Sequence, residues 1–189
     1  MKFLWIDTET GGLDPTVHSL LSLALVVTEP SGDQVSTEIF FRHPNYTVDP
    51  EALAVNHIDL VRHHAHACEP AHAASLIAAF LGRHFPGDEK IQLAGHNVGF
   101  DIAFLGVFLR QHFPAIYARF SHRVMDTMPL ALALQEAGLL PAGSLGLSAL
   151  LEHYGIRLEP TLRHTALGDA KATEQLYRCM IADLRTAPL

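Results

Sequence analysis

The stretch FLWIDTET, residues 3–10, constrains this chain more than any other. Strand-forming residues dominate it, yet Asp7 and Glu9 sit two apart inside it. A carboxylate in a central strand is expensive to desolvate. Side chains at i and i+2 of a strand share a face, so a strand running through both acids points them the same way. Like charges held that close repel, and each raises the other's pKa. A divalent cation removes the conflict, and hard cations such as Mg²⁺ take carboxylate and water oxygens. The alternative is a strand that ends at Ile6, with both acids in a turn. Gly11 and Gly12 follow, where the backbone can turn sharply and come close to another molecule.

Beyond this strand the pattern is mixed. Lys2–Asp7, Leu20–Thr28 and Val35–Arg42 read as strands, the last two joined by the turn residues EPSGDQ. Residues 50–84 are helical in flavour and Ala-rich, with a break at Glu69-Pro70. Ile91–Gly95 is a short buried strand, Asn97 is placed to cap a helix running to Gln111, and Arg123–Thr127 is a fifth strand. A helix to Ala137, a Gly/Pro/Ser-rich loop, a helix over Leu147–Tyr154 and a last helix over Ala166–Leu184 complete the chain. This order predicts an α/β fold with a mixed five-stranded sheet flanked by helices.

Composition narrows the class. The 189 residues are 49% hydrophobic and 17% charged, which predicts one globular domain over 1–189 with a full core. No apolar run approaches the ~20 residues of a membrane span. The chain passes from Lys2 straight into a strand, so no signal peptide is expected, and a cytoplasmic location follows. Cys68 and Cys179 are too few for a disulfide framework and read as free thiols, with a single bridge the alternative. The formal net charge is −7, the wrong sign for a protein that coats nucleic acid. A nucleic-acid substrate would require a local reversal of that sign.

Two further stretches carry acids at element boundaries. In LAGHNVGFD, residues 93–101, a strand ends and a helix begins, which sets Asp101 in the first turn beside the C-terminal edge of a sheet. An acid there also matches the helix dipole without any further role. In HTALGDA, residues 164–170, His164 and Asp169 are five apart. On one helix they would diverge by about 140°. The useful arrangement has Asp169 on the helix and His164 on the loop before it, where an imidazole can serve as a base near neutral pH. A solvated histidine before a helix is the plain alternative. Neither a G-x-G-x-x-G nor a G-x-x-x-x-G-K loop is present, which argues against a nucleotide cofactor.

Taken together, D-x-E, H-N-x-x-x-D and H-x-x-x-x-D resemble the three motifs of the DnaQ-like exonucleases with a histidine in the third motif (DEDDh), within the ribonuclease H-like superfamily. The group includes the proofreading subunit of bacterial replicative DNA polymerase, RNase T and oligoribonuclease. The likeness runs from Lys2 to about Met180, through FLWIDTETGGLDP, GHNVGFDIAFL and HTALGDA. It implies a ribonuclease H-like fold, two Mg²⁺ or Mn²⁺ ions, and release of 5′-mononucleotides from the 3′ end of single-stranded nucleic acid. Asp7 would bridge both ions, Glu9 and Asp169 would hold the ion carrying the attacking water, Asp101 would serve the second ion, and His164 would be the base. Two cations ~3.5–4 Å apart stabilise both the attacking and the leaving oxygen of an in-line displacement.

The resemblance extends to substrate contacts. Thr10, Gly11, Gly12 and Leu13 resemble the loop on the terminal nucleotide, with Leu13 either a wedge against a base or a core residue. Asn97 and Phe100 resemble residues near the substrate, and Phe100 could equally pack in the core. His57, in AVNHI, stands where relatives read His-Gly-Ile, without the glycine. Asp126 matches a recurrent Asp-Thr and reads as a helix cap. The histidines at 57, 63, 64, 66 and 72 with Cys68 match no compact zinc spacing and read as a solvated helical face. DTETGGL is nearer the proofreading and RNase T groups than oligoribonuclease, which ranks the last lower; the motifs themselves do not separate DNA from RNA, and DNA is taken as the favoured substrate. An exoribonuclease and a non-catalytic scaffold of the same fold are the other readings. A polymerase or replication partner and a homodimer are compatible with the family.

Overall fold

The computed structural model describes residues 2–162 and 164–186, except for the side chains of residues 112 and 160. Five strands form one sheet: β1 (Phe3–Thr10), β2 (Leu20–Thr28), β3 (Gln34–Phe40), β4 (Gln92–Gly95) and β5 (Met125–Asp126). Their order is β3-β2-β1-β4-β5. β1 and β2 pair antiparallel, as do β2 and β3, while β4 lies parallel to β1 and to β5. The expected mixed five-stranded sheet flanked by helices is the observed one.

Eight helices follow in chain order: α1 (Pro50–Asn56), α2 (Leu60–His66), α3 (Pro70–His84), α4 (Gly99–His112), α5 (Pro114–Tyr117), α6 (Thr127–Glu136), α7 (Leu147–His153) and α8 (Ala166–Thr186). The helical region after residue 50 breaks twice, at the expected Glu69-Pro70 and also at His57–Asp59. There Asp59 accepts from the amides of Val61 and Arg62 and starts α2. The four-residue α5 escaped sequence reading because it is too short to show a period.

Strand period and sheet faces explain the layering. Leu4 and Ile6 point to one face and join Leu23, Leu25, Ile77, Leu105 and Leu109 in the larger core. Phe3 and Trp5 point to the other, against Ala166, Ala170 and Tyr177 of α8. The three aromatic rings meet there at 5.2–5.8 Å, a geometry that adds to area burial. β1 is thus apolar on both faces over its first half. Its polar half begins at Asp7, and β1 runs on to Thr10, three residues past the expected end. Both acids therefore lie in the strand, not in a turn.

Two local expectations are corrected. Asn97 does not cap α4: it has φ 56, and the cap residue is Val98, whose own side chain makes no cap bond. The Asp126 carboxylate does this work from β5. It accepts from the amides of Asn97 at 2.8 Å and Val98 at 3.1 Å, and from Met128 at 3.0 Å to start α6. One carboxylate between two chain segments satisfies donors that Asn97 cannot reach. The histidine-rich face is not wholly solvated either. His63 is 7% exposed, bonds the Phe41 carbonyl through Nε2, and sits edge-on to Phe40 and Tyr46. His64, His66 and His72 are exposed, as expected. Cys68 and Cys179 are free thiols. No helix among the described residues is long and apolar enough to cross a membrane.

Candidate functional site

The acids converge at the C-terminal half of β1. Asp7 and Glu9 project toward α8, whose first turn carries Asp169. One carboxylate oxygen from each of Asp7, Glu9 and Asp169 lies within 4.8 Å of the others. Asp101 arrives from the opposite face, on the first turn of α4. Thr8, which points that way by strand alternation, donates from Oγ1 to Asp101 Oδ1 at 2.7 Å. Asp101 is 4% exposed. Two helix N-termini aim at the cluster, and their partial positive ends favour negative charge there.

Electrostatics mark the cluster as under-compensated. Burial first, then Asp101, Asp169, Glu9 and Glu38, hold Asp7 well above the usual carboxylate range. Burial, then Asp169, Glu38 and Asp101, push Glu9 up to about 8. Burial raises Asp101 to about 7 against the pull of the Thr8 hydroxyl and amide. None of these three pairs with a lysine or arginine among the described residues. Oxygen-only donors, crowded and lacking a cation, fit a hard divalent ion, and Asp7, Glu9 and Asp169 are the residues that would hold it. No group of three or more His, Cys, Asp or Glu elsewhere among the described residues is so placed, the His57–His72 segment included.

This charge state has a measurable consequence. In the unfolded chain these carboxyls release their protons near pH 4. In the folded, metal-free chain Glu9 and Asp101 keep theirs to about 8 and 7. The folded state binds more protons, so the stability these groups contribute is lost as pH rises through their folded values. Burial lowers His63 and His96, which acts with the opposite sign but only below about pH 6.5. Between about pH 6.5 and 8 the thermal midpoint in chelator should fall by roughly 5 °C or more, since each kcal/mol moves a chain this long by about 2–4 °C. Millimolar Mg²⁺ or Mn²⁺ should restore the midpoint at the upper pH. Calorimetry giving a flat profile in chelator would contradict this reading of the cluster.

His164 lies on the loop between a 3₁₀ turn (Pro160–Leu162) and α8, solvent-exposed, with φ 56. Thr165 holds this loop: its hydroxyl donates to the Leu162 carbonyl at 2.9 Å and accepts from the Gly168 amide at 3.1 Å. The Leu162 carbonyl passes so close to Gly168 that a Cβ there would overlap it. Gly168→Ala should therefore displace the His164 loop. We expect at least about a tenfold loss of rate, since general-base work depends on hydrogen-bond reach, with a lower thermal midpoint. Unchanged kinetics would mean that the loop position is not critical.

The structure brings some predicted substrate residues together and sets others to different work. His57 has φ 56 and its ring stands edge-on to His164, with centroids 6.1 Å apart. With no glycine after it, His57 itself takes the left-handed conformation, and the Ile58 amide is satisfied by Asn56 Oδ1. Leu13 is 82% exposed, which removes the core alternative for it. It lines a cavity of about 480 Å³ with Thr8, Glu9, Thr10, Gly12 and Phe100. Phe100 packs on Phe104 at 5.0 Å between ring centroids and also lines this cavity. Gly11 is wedged against Thr47 and Val48, where a side chain would not fit, and its carbonyl accepts from Asp49 at 2.6 Å. Asn97 does not line this cavity.

Sequence reading missed Glu38. The register Asp7↔Ala24↔Glu38 sets it on the same sheet face two strands away. Burial raises its pKa, opposed by bonds from the Ser22 hydroxyl and the Leu167 amide. Alternation in QVSTEIF puts Glu38 on a face, but only register places it near Asp7. Thr8 was missed for a similar reason, since its partner Asp101 is 93 residues away.

Comparison with known proteins gives the family and the fold. A family model named RNase_T, Exonuclease, matches residues 4–177. A DNA polymerase III subunit epsilon-like protein of Rhodobacter capsulatus is 30% identical over 192 residues, covering all of this chain and 25% of that protein. E. coli Exonuclease I in complex with a dT13 oligonucleotide superposes with TM-score 0.75 at 21% identity, over 97% of this chain and 41% of the other. The Exonuclease I of Methylocaldum szegediense gives 0.74 at 23% identity, over 98% and 41%. The chain thus spans a quarter to two-fifths of the length of these relatives. With the family model matched across most of its length and its strands ordered as described, the chain belongs to this exonuclease family.

Proposed function

We propose that this chain is a metal-dependent 3′–5′ exonuclease domain, releasing 5′-mononucleotides from single-stranded ends, with DNA as the favoured substrate. The observation that carries the reading is the approach of Asp7, Glu9 and Asp169 oxygens within 4.8 Å beside an exposed His164. Two divalent ions, Mg²⁺ or Mn²⁺, would supply charge neutralisation at the attacking and leaving oxygens. The chain's own residues do the rest. Asp7 and Glu9 from β1 and Asp169 from α8 hold the ions, and Asp101, fixed by Thr8, completes the acid set. His164 accepts the proton of the attacking water at a ring nitrogen. The terminal nucleoside occupies the 480 Å³ cavity, a volume suited to a ligand of that size. Leu13 and Phe100 lie against the base, with Thr10, Gly11 and Gly12 along the sugar. His57 borders the approach beside His164, and Asn97 stays near the substrate path at the start of α4.

DNA is favoured because the relative at 30% identity is named for a DNA polymerase subunit, which also supports a replication partner. The test uses 3′- and 5′-labelled DNA and RNA oligomers with Mg²⁺ or Mn²⁺, with products sized over time. Stepwise mononucleotide release from the 3′ end of DNA is expected, and a 3′-phosphorylated oligomer should be cut poorly because the added charge faces four carboxylates. Faster loss of RNA would make it an exoribonuclease. Internal cuts at the outset would remove the exonuclease reading, and absence of both hydrolysis and ion binding would leave a scaffold.

A further inference from the structure

The carboxylate cluster has a cavity on each side. On the Glu9 side lies the 480 Å³ cavity, whose lining among the described residues contains acids but no lysine or arginine. That suits a terminal nucleoside, which carries no phosphate beyond the scissile one. On the Asp169 side lies a second cavity of about 610 Å³, between α7, α8 and the His164 loop. Leu151, Ile156 and Leu158 give it an apolar floor, and Ser148 and Arg157 line it as well. Arg157 is exposed and makes no ion pair with any described residue. Glu152, on the same lining, is not within ion-pair distance of it.

We propose that the second cavity is the subsite for the nucleotide on the 5′ side of the scissile phosphate, with Arg157 binding that nucleotide's own backbone phosphate. The proposal rests on the exonuclease reading. A strand whose last nucleoside lies beside Glu9 and whose scissile phosphate lies over Asp7 continues past Asp169, where the floor takes a base and the guanidinium takes a phosphate. In a chain of net charge −7, an arginine with no ion pair among the described residues gives a lining that also carries Glu152 and Asp169 one cationic group to offer a polyanion. Guanidinium and phosphate match in fork geometry as well as in charge.

The test compares the unsubstituted protein with Arg157→Ala and Arg157→Lys on two substrates: a DNA trinucleotide, and the p-nitrophenyl ester of thymidine 5′-monophosphate, whose nitrophenyl leaving group brings no phosphate into the 5′ subsite. The ratio of KM for the trinucleotide to KM for the ester should rise about tenfold or more in Arg157→Ala, the usual scale for a hydrogen bond to a charged group. Arg157→Lys should recover part of the loss, and Glu152→Gln should lower the ratio. Binding of a labelled trinucleotide is read in parallel by anisotropy in Ca²⁺. The slope of log affinity against log salt should fall by about 0.7 in Arg157→Ala. An unchanged ratio and slope would overturn the subsite, as would equal losses on both substrates. Because binding is read without turnover, an inactive protein that still shows the salt effect would lose the exonuclease reading but keep the subsite. A protein that binds no oligonucleotide loses both.

Discussion

Asp7→Asn is expected to reduce hydrolysis by about 10³-fold or more and, in the same protein, to raise the thermal midpoint of the metal-free form near pH 8. The two effects share one cause. Asp7 stands between Glu9 and Asp169 on one side of the sheet and Asp101 on the other, and all three raise its pKa. An amide is neutral at every pH, so with no ion bound the folded chain no longer has to bury a charge or hold a proton at this position. The substitution also removes the oxygen donor that the proposed ions would share, and the electrostatic stabilisation such ions supply is several kcal/mol of barrier. The amide keeps the shape of the carboxylate, so the packing of β1 should persist. Scanning calorimetry in chelator, ion titration and single-turnover product release measure the three quantities. A variant that loses rate but also loses stability would show a merely structural defect. A variant that keeps its rate would remove Asp7 from the centre.

His164→Ala is expected to lower kcat by about 10²–10⁴, the range for general acid–base catalysis, while ion binding stays nearly unchanged. The imidazole sits on a loop, outside the group of carboxylate oxygens within 4.8 Å of one another. Hard cations prefer oxygen donors, so its removal should spare affinity. The acidic arm of the pH–rate profile should flatten, since only the neutral ring accepts a proton. His164→Asn should match the alanine variant, because an amide holds a hydrogen bond but does not serve as a base. Asp169→Ala should differ from both by losing ion affinity along with rate. Near-native kcat in His164→Ala would reassign proton removal to another residue, and His57, 6.1 Å away between ring centroids, is the nearest alternative imidazole. His57→Ala is the control for that outcome.

Local chemistry makes much of this chain legible from its residues alone. Two acids at i and i+2 of an apolar strand must share a face, whatever the rest of the fold does. Asp169 at a helix start, with His164 on the preceding loop, follows from helical geometry. The break at Glu69-Pro70, the cap role of Asp126 and the strand and helix order are all readable from short-range rules. What lies far apart in sequence is not. That Asp101 bonds Thr8 across 93 residues, that Glu38 reaches the face of Asp7 through Ala24, and that Asp126 rather than Asn97 takes the free amides before α4 depend on register and on helix docking. Periodicity assigns a side chain to a face, but a face has no address until strands pair and helices pack across it. For that reason the residues alone determined which acids point together, and only the tertiary structure decided which of them meet.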